Sequence, residues 1–184
     1  PENTLPAFEV ALKYGFNAVE FDTVATADND LIVIHDLTVD RTTNGSGNVA
    51  DMTMEQLRDL SVNYGSNINK YDNLKLPTVD ETLSLINQFE GAIPVVNPRN
   101  TSTSHNDLLK GYLNKYGYGT QKFCAILIAD LSVLQYFKQA GGKYILIFSG
   151  ELTQTNIDNV KALGQNALLQ MPYTQTIDNQ IIEY

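Results

Sequence analysis

The chain has 184 residues, of which 43% are hydrophobic and 18% charged, a composition typical of one folded domain rather than a disordered segment. Its formal net charge of −9 argues against nucleic-acid binding, which needs a basic surface for the phosphate backbone. No apolar run approaches the roughly 18 residues that span a bilayer, so we expect no membrane span. The single cysteine, Cys124, lies in the apolar run FCAILIA, which favours a buried thiol and leaves the redox compartment open.

The first predicted element is an amphipathic helix near the amino terminus. Asn3 or Thr4 is a suitable residue to cap it, and Gly15 to end it. The apolar residues that recur at helical spacing are Leu5, Phe8 and Leu12.

Two strands and two helices are predicted next. The segments NAVEFDTVA and DLIVIHD are rich in β-branched and aromatic residues and are separated by the turn-prone ADND. A Gly/Asn loop, TTNGSGN, leads to the helices TMEQLRDL and TVDETLSLINQF, each of which begins with threonine. The polar loop between these helices contains Tyr64 and Tyr71, which we expect to face solvent rather than line a substrate groove.

From Gly91 onward, strands and helices alternate regularly. Four successive strand-then-helix units predict a parallel sheet, because each return to the same strand direction needs a crossover. The strands are almost continuously apolar, which is typical of strands buried on both faces. An open doubly wound sheet and a (β/α)8 barrel both fit, although a barrel usually needs about 250 residues. The units are AIPVVN with HNDLLKGYLNKYG, FCAILIA with LSVLQYFKQA, KYILIFS with TNIDNVKALG, and NALLQMP with TIDNQIIEY.

Two acidic residues, Glu20 and Asp22, stand one residue apart on the first predicted strand. Side chains alternate along a strand, so both carboxylates project from one face while Val19 and Phe21 project from the other. Two like charges on one face repel each other unless a cation lies between them. A divalent metal would provide that cation, and two solvated surface acids are the alternative.

His35 ends the apolar run LIVI, where we expect a parallel strand to pass into its loop. Ligands bind at the carboxyl-terminal edge of parallel sheets and barrels. With Asp36 beside it and Arg41 in the following loop, His35 would bring an imidazole and a cation close to Glu20 and Asp22.

Five motifs together resemble the glycerophosphodiester phosphodiesterase family. They are PENTLPAFEVAL, VEFD, ADNDLIVIHD, DRTTNGSGNVADMTMEQL and LPTVDETLSL, and they cover the first ninety or so residues. The resemblance implies a (β/α)8 barrel that is incomplete at both ends in this chain, with residues 1–184 forming one domain.

The same resemblance implies roles for individual residues. Glu20 and Asp22 would bind a divalent metal, calcium or magnesium, and His35 would act in acid/base catalysis. In VVNPRN, Asn97 takes the position of the third metal ligand and Arg99 that of a substrate-binding lysine.

For four further residues the sequence suggests contacts near this site. Arg41 and Asn44 either contact phosphate or hold the TTNGSGN loop. The resemblance implies that Glu2 lies near the active-site rim and supports the site. His105 is expected to cap a helix or face solvent rather than bind phosphate.

The chain also departs from the family pattern. The family carries a His-Arg-Gly motif shortly before PENT, and this sequence begins at Pro1, so a partner histidine is not part of it. The third metal ligand is usually a glutamate, and the uncharged amide of Asn97 should lower metal affinity.

The resemblance predicts metal-dependent hydrolysis of glycerophosphodiesters or glycerol-phosphate polymers such as teichoic acid. The alternative is a catalytically weakened barrel that binds phosphate-rich surface glycans, for example in a cell-wall or phage-tail assembly. Either activity favours an extracellular, cell-surface or virion-associated location over the cytoplasm, and the sequence predicts no particular oligomeric state.

Overall fold

The structure is a computed structural model that describes residues 1–171. Within them lie six strands, six α-helices and two short 3-10 turns, Val49–Asp51 and Ile68–Lys70. The strands are β1 (Ala18–Ala25), β2 (Leu31–Val33), β3 (Ile93–Pro98), β4 (Cys124–Ile128), β5 (Tyr144–Ser149) and β6 (Ala167–Gln170). The helices are α1 (Leu5–Lys13), α2 (Met54–Asp59), α3 (Val79–Ile86), α4 (Thr103–Lys115), α5 (Leu131–Ala140) and α6 (Gln154–Leu163).

The strands form one sheet in the order β2-β1-β3-β4-β5-β6. β1 and β3 to β6 run parallel, each joined to the next by helical segments, so the predicted α/β alternation is confirmed. β2 is the exception, because it folds back on β1 as an antiparallel hairpin. The predicted last helix, TIDNQIIEY, lies outside the described residues.

Threonine caps begin two of the helices as the sequence indicates. In α2 the side chain of Thr53 accepts from the backbone N–H of Gln56, and the Gln56 side chain accepts from the backbone of Thr53. Thr78 and Glu81 form the same reciprocal pair at the start of α3. Such capping boxes satisfy backbone donors that have no partner inside the helix. Thr4 occupies the capping position of α1 without a side-chain hydrogen bond to the helix, because its hydroxyl donates to Pro1 O.

The main core lies between the helices and one face of the sheet. Phe21 and Ile126 of the sheet are completely buried there, together with Leu83 and Leu134 of the helices. Cys124 is also buried, as expected. The opposite face of β3 and β5 is only partly buried, so continuous burial of both faces is wrong for these strands in residues 1–171.

A second apolar cluster holds the hairpin and the loops that follow β2. It anchors the segment that carries His35 and Arg41 to the back of the hairpin. Its buried members are Val24, Ile32, Ile34, Val39, Val49, Leu57, Val62 and Leu76. Across residues 1–171 no helix combines the length and apolar character that crossing a membrane requires.

Candidate active site

Glu20, Asp22 and Asn97 lie together on the half-open face of the sheet. Asp22 of β1 is the register partner of Asn97 of β3, and Glu20 is the partner of Val95. Register partners of parallel strands project to the same side, so the alternation that places Glu20 beside Asp22 also places Asn97 there. Asn97 lies close enough to Glu20 for its side chain to lower the pKa of that carboxyl. The structure therefore brings together the three residues predicted to bind metal.

Asn3 holds the carboxylate of Asp22. The Asn3 amide nitrogen donates to Asp22 Oδ2 at 2.9 Å, and the backbone N–H of Asp22 donates to Asn3 Oδ1 at 3.1 Å. Asn3 has a φ of 51°, a left-handed conformation that asparagine tolerates better than most residues. From the sequence, Asn3 is only a possible helix cap, and no local pattern indicates its contact with Asp22.

One oxygen of Asp22 has no hydrogen-bond partner. Asp22 is 3% exposed, and its Oδ1 atom is buried without a donor, whereas Asn3 satisfies Oδ2. Leaving a buried carboxylate oxygen unsatisfied is costly. The orphaned atom points to a missing partner on the side of the carboxylate that Asn3 leaves open.

The neighbouring Glu20 also lacks sufficient positive charge around it. Glu20 as a whole remains exposed along the open side of the sheet, but the surroundings of its carboxyl are partly buried. This burial raises the pKa of the carboxyl to about 7, and repulsion from Asp22 is the second cause. His35, Asn97 and Arg99 oppose this rise only in part. A cation between the two carboxylates would remove the repulsion and return Glu20 to its ionised form.

The residues present fit a divalent metal with a reduced set of charged ligands. Within residues 1–171 no three side chains of His, Cys, Asp and Glu converge closely enough to hold a metal. The cluster instead offers two carboxylates and the Asn97 amide, all oxygen donors of the kind that calcium and magnesium take. The unpartnered Oδ1 of Asp22 is the atom that most needs such an ion.

His35 reaches the same site by a different route from the one predicted. It follows β2, and the expectation that β2 runs parallel to its neighbour is wrong. Because the hairpin pairs Val33 with Thr23 in antiparallel register, the chain after β2 returns alongside the acidic part of β1. His35, Glu20 and Asp22 consequently line one cleft of about 480 Å³.

Asp36 and Arg41 surround the other side of the His35 ring. His35 Nδ1 lies 2.7 Å from Asp36 Oδ1. Arg41 donates to both oxygens of Asp36 and to both oxygens of Glu2. Glu2 therefore lies beside the predicted site and is bound to Arg41. Support of the site by Glu2 and phosphate contact by Arg41 stay predictions.

Arg99 and Asn44 have separate structural contacts. The backbone N–H of Arg99 donates to Thr23 O at 2.8 Å, and its charge lies near enough to Glu20 to lower that residue's pKa. Asn44 Oδ1 accepts from the backbone N–H of Ser61 at 2.8 Å, which favours the loop-holding alternative. Tyr64 is 56% exposed, in keeping with a solvent-facing tyrosine.

The expectation that His105 caps a helix or faces solvent is wrong. Its imidazole is 1% exposed behind β1, with Nε2 2.9 Å from the hydroxyl of Thr23 and Nδ1 without a partner. The cap of α4 is Ser102, which accepts from the backbone N–H of His105. Burial lowers the pKa of His105 to about 4, so the ring is neutral at ordinary pH. Sequence alone could not separate this residue from an exposed one at the same helix start.

The buried His105 predicts a specific loss of stability in acid. The unfolded chain binds a proton at the ordinary histidine pKa of 6.5 and the folded chain only near 4, so folding stability falls as pH drops through that window. The expected contribution is about 3 kcal/mol. Urea unfolding at several pH values gives the free energy of unfolding of the parent and of His105→Gln. The difference between their pH dependences measures the contribution of His105. Parallel pH dependences in the two proteins would contradict the prediction.

Comparison with known proteins identifies the family to which this site belongs. The model of the glycerophosphoryl diester phosphodiesterase family matches residues 1–171. The chain belongs to this family. The resemblance seen in the PENT, VEFD and IHD motifs is therefore confirmed.

Sequence relatives agree with this assignment. A segment of 88 residues is 43% identical to a glycerophosphodiester phosphodiesterase of Caldanaerobacter subterraneus and covers 47% of this chain and 35% of that protein. A segment of 85 residues is 44% identical to glycerophosphodiester phosphodiesterase 1 of Bos taurus and covers 46% of this chain and 26% of the relative. The matched segments thus span about a third or less of these relatives' length.

Solved structures show the fold. A phosphodiesterase of Oleispira antarctica, in complex with the product sn-glycerol-3-phosphate, has a TM-score of 0.81 at 20% identity and is covered to 69%, with 93% of this chain aligned. A Silicibacter pomeroyi protein described as a glycerophosphoryl diester phosphodiesterase has a TM-score of 0.74 at 19% identity, covering 89% of this chain and 68% of the other. The six-stranded sheet of this family member is therefore part of a (β/α)8 barrel, which settles the fold that strand alternation left open.

Proposed function

We propose that this chain acts in metal-dependent hydrolysis of glycerophosphodiesters or glycerol-phosphate polymers. One observation carries the proposal: His35, Glu20 and Asp22 line a single cleft, and one carboxylate oxygen of Asp22 is buried without a partner. An acid/base group beside a pair of carboxylates that can hold a cation is a combination that can cleave a phosphodiester. Family membership supports the substrate class.

Glu20, Asp22 and the amide of Asn97 would hold the divalent metal, calcium or magnesium. When bound, such an ion neutralises charge on phosphoryl oxygens. Asn3 keeps Oδ2 of Asp22 occupied and leaves Oδ1 available, so it fixes which oxygen faces the ion. Arg99, two residues beyond Asn97 on the same side, adds positive charge where the substrate's anionic group would lie.

His35 would exchange the proton that cleavage of the phosphorus–oxygen bond requires. Histidine is the side chain that most often serves as general acid or base in catalysis. The ring lies at the cleft, and its Nδ1 is already engaged by Asp36, which leaves Nε2 for the substrate.

The direct test is turnover by the chain together with any residues that its gene encodes on either side. Glycerophosphocholine and polyglycerol phosphate serve as substrates, with calcium, with magnesium and with chelator. We expect metal-dependent release of glycerol phosphate or of shorter polymer. Tight polymer binding without cleavage under all these conditions would overturn the hydrolase proposal.

The second candidate is a binding module for phosphate-rich surface glycans. The uncharged Asn97 favours it, because a weaker metal site would retain recognition while losing catalysis. A partner histidine encoded just before Pro1 would support the enzyme instead. Both candidates fit an extracellular, cell-surface or virion-associated protein, which fractionation of the source with an antibody to the chain would test.

Changing Asn97 to glutamate tests its place around the metal. A third carboxylate beside Glu20 and Asp22 is expected to tighten calcium or magnesium binding by about tenfold or more, because affinity rises with the number of charged oxygen ligands. Calorimetric titration measures the change. Asn17→Glu is the matched control, since it adds the same charge just before the amino end of β1. Unchanged affinity in Asn97→Glu would remove Asn97 from the ligand set.

A further inference from the structure

We propose that Glu2, Arg41 and Asp36 form a hydrogen-bonded chain that fixes the His35 ring with its proton on Nδ1. These three are positioning residues in this proposal, because it concerns only their effect on the His35 ring, and phosphate contact by Arg41 is a separate prediction. The meaning of a free Nε2 rests on the proposed function. The position of the proton on the ring does not, so the two can fail separately.

The contact between His35 and Asp36 places the proton of the ring. Hydrogen bonds from Arg41 and from His35 hold the pKa of Asp36 well below its usual range, so its carboxylate is ionised at any working pH. An ionised carboxylate only accepts hydrogen bonds, and a neutral imidazole has a single N–H. With Nδ1 at 2.7 Å from Asp36 Oδ1, that N–H belongs to Nδ1.

Arg41 fixes the orientation of the Asp36 carboxylate. Arg41 Nε donates to Asp36 Oδ2 at 2.7 Å, and Arg41 Nη2 donates to Oδ1 at 3.0 Å. A planar guanidinium bound to both oxygens fixes the plane of a carboxylate, which a single contact does not. Oδ1 therefore stays aimed at the ring of His35.

Arg41 also connects these hydrogen bonds to the amino-terminal segment. Arg41 donates to Glu2 Oε1 at 2.6 Å from Nη2 and to Oε2 at 3.1 Å from Nη1, across 39 residues of sequence. The guanidinium also lies 6.0 Å from the ring centre of Tyr64. Glu2 directly precedes Asn3, which holds Asp22. One short segment thus positions both the proton-exchanging ring and a metal-binding carboxylate.

Stability is a poor explanation for this arrangement. The side chains of Arg41, Glu2 and Asp36 are 41%, 44% and 28% exposed. Exposed ion pairs contribute only about 0–1 kcal/mol, so variants of these residues are expected to fold. The four hydrogen bonds that the Arg41 guanidinium donates instead fix the geometry around His35.

The test reads the position of the proton by ¹⁵N NMR of the imidazole at about pH 9, where a histidine side chain in water is neutral. The His35 signal is assigned by its loss in His35→Gln. We expect the Nδ1–H form in the parent and a shift toward the Nε2–H form in Asp36→Ala and Arg41→Gln. In a turnover assay, Arg41→Gln is expected to lower kcat by up to roughly 10²-fold with little change in KM, because the ring is misplaced.

Arg58→Gln is the matched control. It removes a bidentate ion pair of similar exposure, that of Arg58 with Glu81, which does not contact His35. The His35 signal should therefore be unchanged. Should Asp36→Ala fail to fold, Arg41→Gln and Glu2→Ala carry the test. A parent proton on Nε2, or an unchanged Nδ1–H form in the folded variants, overturns the proposal. Absence of turnover with the expected NMR shift rejects the proposed function alone.

Discussion

Replacing His35 by alanine is expected to lower kcat for glycerophosphocholine by about 10²–10⁴-fold, the usual contribution of a positioned acid/base group. The reason is that His35 lines the cleft with Glu20 and Asp22 and has Nδ1 engaged by Asp36. Steady-state kinetics of the chain, with any flanking residues its gene encodes, measures the loss. Metal affinity should change little, since an imidazole is not among the proposed ligands.

His105→Gln separates loss of catalysis from loss of fold. His105 is buried behind β1 and does not line the cleft, so its replacement is expected to affect stability more than turnover. If His35→Ala kept the parent rate while His105→Gln abolished it in a folded protein, His35 would not be the acid/base residue. His105 would then be the first candidate for that role.

Replacing Glu20 by glutamine is expected to weaken metal binding while stabilising the metal-free protein at high pH. Removal of a charged ligand should cost more than the roughly 10–100-fold that loss of an outer hydrogen-bond partner costs. The pKa of Glu20 is raised to about 7, so the folded metal-free protein binds more protons than the unfolded chain between the ordinary value of 4.5 and 7. Its folding stability therefore declines as pH rises through that window.

At pH 8 in chelator, the free energy of unfolding of Glu20→Gln should exceed that of the parent by about 1 kcal/mol. This value is reduced for the exposure of the side chain. At pH 4 the two should be equal, because Glu20 is then protonated. Urea unfolding at both pH values, with metal titration by calorimetry, makes the measurement. Glu151→Gln, in an exposed loop, is the control. Equal stability at pH 8 would show that neither burial nor Asp22 destabilises the ionised Glu20 in the folded protein.

The acid windows of Glu20 and His105 overlap with opposite signs. Between pH 4.5 and 6.5, protonation of Glu20 stabilises the folded metal-free protein, whereas the neutral His105 makes it lose stability. The parent alone would show only the net change. Differences between each variant and the parent separate the two contributions.

Much of this protein was determined by its sequence. The two threonine caps, the apolar strands and the regular alternation after Gly91 follow from local chemistry, which depends on neighbours a few residues away. The shared face of Glu20 and Asp22 follows from the twofold repeat of a strand. The sequence motifs indicated the family, and membership of the family implied the (β/α)8 barrel.

Tertiary structure alone decided the contacts between distant segments. Asn3 meets Asp22 across 19 residues, and Arg41 meets Glu2 across 39, and no local pattern encodes such pairings. The direction of β2 was missed because a three-residue strand reads the same whether its partner runs parallel or antiparallel. His105 was missed because burial depends on what packs over a helix start, and here β1 covers it. The sequence thus determined which chemical groups are present, and the packing of remote segments decided which of them face each other.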